Sequence, residues 1–160
     1  MPATPFPLPF PSAAPWATPD DVFDRLEGVW LLARTIEGKA SMTGTAVFTR
    51  LDTGLLKYRE EGRIRLADGK VFDGHREYLY ERSPGGFTVL FAENPPRLFH
   101  GIAIARDGDA LVGSATHLCI ADNYDSRYTF LSDGSFVIAH TVNGPRKDYL
   151  SRTEFRRRDA

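Results

Sequence analysis

From Gly28 onward the chain is punctuated by turn signals every ~8–12 residues, and that spacing constrains the fold more than any other feature. The signals are Glu37-Gly38-Lys39, Asp52-Thr53-Gly54, Asp68-Gly69, Pro84-Gly85-Gly86, Asn94-Pro95-Pro96, Asp107-Gly108, Asp133-Gly134 and Asn143-Gly144-Pro145. Asp-Gly and Gly-Gly supply the positive φ that tight hairpins need. Between the turns, apolar and polar residues alternate, and β-branched and aromatic residues are frequent, as in half-buried strands. About ten strands are predicted, at roughly 29–37, 42–51, 55–66, 70–81, 87–92, 97–105, 109–120, 126–132, 135–142 and 146–157. No connection is long enough for a crossover helix, so the sheet must be antiparallel and largely up-and-down. Such a sheet ends as a sandwich or as a closed barrel that removes its edges. Inward-facing polar residues favour the barrel, because a sandwich core has nowhere to put them.

One helix precedes the strands. Thr18 can cap it, Pro19 suits its first position, and Asp20 and Asp21 complement the positive end of its dipole. Val22, Phe23 and Leu26 form a short apolar stripe that Gly28 stops. The first 19 residues carry seven of the eleven prolines. Residues 1–17 therefore read as an extended arm, with Phe6, Leu8 and Phe10 between the prolines, and residues 18–160 as one barrel domain.

The balance of 20 Lys+Arg against 21 Asp+Glu argues against a nucleic-acid or anionic-membrane partner. No apolar run approaches the ~20 residues a membrane helix needs, and no secretory leader pattern precedes Arg25. The single cysteine, Cys119, fits a reducing compartment, and a cytoplasmic location is expected. Whether the protein is a homodimer is left open.

Residues two apart on a strand share a face, so each strand can be read as two rows. One row holds Arg76, Tyr78 and Tyr80; others hold Trp30, Leu32, Arg34 and Ile36, or Leu98, His100, Ile102 and Ile104. Further rows carry Leu111, Gly113, Ala115, His117 and Cys119, then Phe136, Ile138, His140 and Val142, then Lys147 and Tyr149. An apolar wall with a few polar insertions is how small-molecule sites are built. Arg76 with Tyr78, and Lys147 with Tyr149, could hold a carboxylate, or pair with neighbouring acids at the rim. His117 and Cys119 could chelate a soft metal, serve catalysis with Asp122 and Tyr124 in a following loop, or be ordinary interior residues. A β-bulge at Gly101 or Gly113 would shift these rows. His140, on an apolar row, reads as a satisfied histidine, and no phosphate loop or nucleophile elbow occurs.

Gly28-Val29-Trp30, opening the first strand after a short helix, resembles the Gly-x-Trp start of lipocalins and their calycin relatives. That resemblance implies an arginine of the last strand packed over Trp30, with Arg152 and Arg156 as candidates. Leu26-Glu27-Gly28-Val29-Trp30, Arg34-Thr35-Ile36, Tyr58-Arg59-Glu60-Glu61-Gly62 and Arg76-Glu77-Tyr78 stand in an order similar to the domain of unknown function 6314 family. Phe99-His100, the run from His117 to Tyr124 and the run from Val142 to Tyr149 continue it, over about residues 26–157. The resemblance implies a calycin-like barrel with no established activity. It points to Arg34, Tyr58, Glu60, Arg76, Tyr78, His100, His117, Cys119, Asp122, Tyr124, Lys147, Asp148 and Tyr149. Ile120-Ala121 departs from the tighter Gly/Pro pair expected there.

The leading expectation is an all-β, single antiparallel barrel that binds a small, partly apolar molecule with an anionic or carbonyl end. Arg34, Tyr58, Glu60, Arg76, Tyr78, His100, His117, Cys119, Tyr124, Lys147 and Tyr149 are the candidate ligand-binding residues. The alternative is an isomerase or lyase, with His117 and Asp122 as base and Tyr78 or Tyr128 as acid. No cofactor or metal is implied.

Overall fold

The structure, a computed structural model, describes residues 15–119 and 121–158, without the side chain of Cys119. The arm residues Phe6, Leu8 and Phe10 and the Cys119 thiol lie outside the described residues. A 3-10 turn, Pro19–Asp21, leads into helix α1, Val22–Leu26. Asp21 accepts hydrogen bonds from the Thr18 amide and hydroxyl at 3.1 and 2.7 Å, fixing the entry to this turn. Ten strands follow: β1 Gly28–Ile36, β2 Ala40–Arg50, β3 Leu56–Leu66, β4 Val71–Ser83, β5 Gly86–Phe91, β6 Arg97–Asp107, β7 Ala110–Cys119, β8 Asp122–Phe130, β9 Phe136–Asn143 and β10 Asp148–Arg157. Each pairs antiparallel with its neighbours in sequence, and β1 pairs with β10, closing the barrel. Asp122 and Tyr124, expected in a loop, belong to β8, where Asp122 pairs with Cys119 and Tyr124 with His117.

The alternation of side chains divides the barrel into a packed floor and an open upper half. Trp16, Trp30, Phe130, Phe136 and Phe155 fill the floor, and Val22, Phe23 and Leu26 of the helical segment are buried with them. Trp16 stacks on Trp30 with ring centres 5.8 Å apart and donates its indole N–H to the Ser135 carbonyl at 3.2 Å. The arginine over Trp30 is Arg157, its guanidinium 4.2 Å from the ring centre. Arg152 and Arg156 have the opposite parity: they stand beside Glu154 and Asp133, while the β1–β10 register puts Arg157 opposite Trp30.

Two strand pairs are irregular in ways that shape the interior. Gly44 and Gly62 face each other across β2 and β3, so close that a Cβ on Gly44 would stand 2.0 Å from the Glu61 carbonyl oxygen. Only glycine tolerates that approach. On β6, Val89 pairs with His100 but Leu90 pairs with Leu98, leaving Phe99 as the extra residue of a bulge. Phe99 and His100 are both buried, and Leu98 turns outward, 56% exposed. The bulge thus lies two residues before Gly101, and Leu98 leaves the inner row.

The β6–β7 ladder is also short. It runs from Asp107–Ala110 to Ala103–Ser114, with no pair described beyond. Above that point residues 97–101 pair with β5 and residues 115–119 with β8, so the wall has a notch. Leu98 and Leu118, 69% exposed, stand on its two flanks.

Candidate functional site

The inner rows of the upper barrel enclose a cavity of about 490 Å³. Its lower part is a saturated polar network. Arg34 of β1 grips Glu60 of β3 through two parallel bonds of 2.7 and 2.8 Å, and its Nε donates to the Thr153 hydroxyl at 2.7 Å. Tyr58 donates to the same carboxylate at 2.7 Å. The side chains of Arg34 and Glu60 are only 13% and 3% exposed. Burial opposes ionisation of Glu60, but Arg34 and Tyr58 outweigh it and hold the carboxyl below its ordinary range. Burial and the Glu60 charge push the Tyr58 phenol well up. Arg34, Tyr58 and Glu60 therefore line the cavity with most of their bonding capacity already used.

Around the open end the polar groups are less committed. Arg76, exposed and lining the cavity, forms no ion pair among the described residues. Its one described hydrogen bond is long, 3.4 Å to the Tyr78 hydroxyl, with the guanidinium 5.9 Å from that ring's centre. Lys147 donates to the Tyr124 hydroxyl at 3.3 Å and lies 3.5 Å from Asp122. The Tyr124 bond is the main cause that raises the ammonium above its usual value, with Asp122 adding to it. Tyr149 completes this rim.

His117 lines the cavity, and its buried Nε2 has no hydrogen-bond partner among the described residues. No described hydrogen bond joins it to Asp122, whose carboxylate faces Lys147. His100, 4% exposed, is not in the lining: its Nε2 meets the Tyr128 hydroxyl at 2.7 Å, beneath Phe99. Burial, with the charges of His140 and His117, lowers its pKa to about 3. Tyr128 is equally enclosed, and burial drives its phenol well above the ordinary range. No group of three or more His, Cys, Asp or Glu among the described residues is placed to hold a metal ion.

His140 lines the cavity instead of merely filling the wall. Its Nδ1 meets the buried Ser126 hydroxyl at 2.7 Å, directly across the β8–β9 pair. Burial first, then the Arg34 and Arg76 charges, lowers its pKa to about 4, so it is neutral near pH 7. Its place on the inner row of β9 was legible; its Ser126 partner was not. Phe91 and Phe99 were also missed. They stack with centres 4.8 Å apart, Phe99 lies nearly parallel to Tyr78, and His117 and Tyr124 present edges to it. Phe99 enters this wall only because of the bulge.

Fold and cavity define a closed, ten-stranded, up-and-down β-barrel with one sealed end and an internal chamber. The chain belongs to the family of unknown function DUF6314, which matches residues 26–157. No curated protein matches it. Among solved structures it is similar to a redesigned β-barrel, mFAP1, bound to DFHBI, at 15% identity and a TM-score of 0.39, over 82% of this chain and 94% of that one. It is also similar to a de novo designed fluorescence-activating β-barrel, at 12% identity and a TM-score of 0.39, over 91% of this chain and 97% of that one. Among the described residues no helix is long and apolar enough to cross a membrane.

Proposed function

We propose that this protein binds a small, partly apolar molecule in the upper barrel and holds its anionic or carbonyl end with Arg76. The observation that carries this reading is the Arg76 guanidinium, placed at the cavity and without an ion pair to a carboxylate among the described residues, while Arg34 below it is paired with Glu60. A guanidinium fork beside a phenol suits a planar oxyanion by charge-assisted bonds. Lys147, Tyr124 and Tyr149 supply further polar contacts at the same rim, and Phe91, Phe99 and Val142 supply apolar wall. The enzymatic alternative needs Asp122 to orient His117, and Asp122 is engaged with Lys147 instead.

The test is a fluorescence titration with 8-anilinonaphthalene-1-sulfonate, an apolar ring system with an anionic group. Saturable binding is expected, weakened about 10-fold or more by Arg76→Gln, since a hydrogen bond to a charged group is worth about 1.5–3 kcal/mol. No saturable binding, or equal binding by the variant, overturns the reading. Native mass spectrometry of fresh protein then shows whether a ligand of this class is retained.

A further inference from the structure

Resting on that reading, we infer that the preferred ligand is a flat aromatic acid carrying a second polar atom, with its carboxylate at Arg76 and that atom at His117. Three observations converge. First, the apolar part of the upper wall is largely aromatic. Phe91, Phe99, Tyr78 and Tyr124 all line the cavity, with Phe99 stacked on Phe91 and the Tyr124 edge directed at Phe99. Such a wall offers both ring faces and ring edges. It rewards a planar π-system over a flexible chain of similar size, because ring pairs gain quadrupole interactions beyond the area they bury.

Second, the charged end is fixed. Arg76 on β4 faces the cavity with no ion pair among the described residues, whereas Glu60, the carboxylate opposite it in the β3–β4 register, is bound to Arg34. A carboxylate from outside is therefore the natural counter-charge for Arg76.

Third, His117 on β7 is an unmet hydrogen-bonding group at the same cavity. Its Nε2 is buried and has no hydrogen-bond partner among the described residues, which do not include the Cys119 side chain. The β6 residue against it is Phe99, 5.3 Å between ring centres, whose ring offers no hydrogen-bonding group. Its directly paired neighbour, Tyr124, is drawn toward Lys147. A buried ring nitrogen without a partner is costly, so a ligand atom that bonds to it gains more than it would at an exposed site. A phenolic hydroxyl fits either tautomer, since it both donates and accepts.

The experiment is isothermal titration calorimetry with three acids: 6-hydroxy-2-naphthoate, 2-naphthoate and decanoate. The expected order is hydroxynaphthoate over naphthoate by at least 3-fold, and naphthoate over decanoate by at least 3-fold. Arg76→Gln should weaken all bound acids together. His117→Phe should bring the ratio of hydroxynaphthoate to naphthoate to about one, a change of ratio that general loss of folding would not produce. Decanoate binding as tightly as naphthoate overturns the aromatic inference while leaving the acid-binding reading standing. A hydroxyl that brings no gain in the unaltered protein, or a gain that survives His117→Phe, overturns the role given to His117. If none of the three acids binds, both readings fail.

Discussion

The floor and the rim of this barrel are built from similar residues put to opposite ends. Both hold an arginine beside an aromatic ring. At the floor, Arg157 sits 4.2 Å over Trp30 and donates to the carbonyls of Arg25 and Glu27, so its charge is spent on closure. At the rim, Arg76 lies 5.9 Å from the Tyr78 ring with one long hydrogen bond. Between them, Arg34 is locked to Glu60. Polar groups therefore become less satisfied from floor to mouth. Saturated groups hold the barrel together, and Arg76 and the His117 Nε2 are the groups the proposed ligand would meet.

The sharpest way to break this contrast is at Glu60. Glu60→Gln leaves the Arg34 charge buried without its counter-charge and should cost about 3–5 kcal/mol in urea unfolding. Arg76→Gln, at the exposed rim, should change unfolding by less than about 0.5 kcal/mol. Similar losses for the two would erase the distinction. Trp16→Ala tests the floor alone. It removes the Trp30 stack and the Ser135 bond, and should cost about 3 kcal/mol, in the range for large aromatic truncations.

Acid sharpens the middle of the molecule. His140 and His100 have folded values of about 4 and about 3, both below the ordinary histidine value. Between the ordinary value near 6.5 and these values the unfolded chain binds more protons, so stability must fall as pH falls through that window. The two histidines together predict a loss on the order of 5 kcal/mol between pH 7 and pH 4.5 in urea titrations, about half of it from His140. Replacing His140 with Gln should flatten the slope, and an unchanged slope would show that His140 is not responsible. The smallest effect concerns the notch. Amides of residues 97–102 and 115–118 that face it should exchange hydrogen faster than those of the fully paired β2, with no change in global stability.

Much of the architecture was written in the turns. Glycine with aspartate or asparagine marks most hairpins, and alternation grouped Arg76, Tyr78, His117 and Tyr149 on rows that line the cavity. Where the signal failed, the physical reason is local. The bulge falls on Phe99, a residue with no turn signature, while the nearby Gly101 keeps regular pairing with Thr88. The turn before Asp122 lacks glycine and proline, so β8 looked shorter than it is. Arg157 lies one residue from Arg156, and only register separates the inward from the outward arginine. The pairing of Arg34 with Glu60 spans β2, a relation across the barrel that no local pattern encodes. Trp16 was hidden in a proline-rich stretch whose composition says nothing of where one indole docks.

That indole has a practical consequence. Trp16 and Trp30 are the protein's two tryptophans, and both lie in the sealed floor, outside the cavity lined by Arg76 and His117. Intrinsic tryptophan fluorescence therefore reports on the closure of the barrel, and is nearly blind to what enters its mouth.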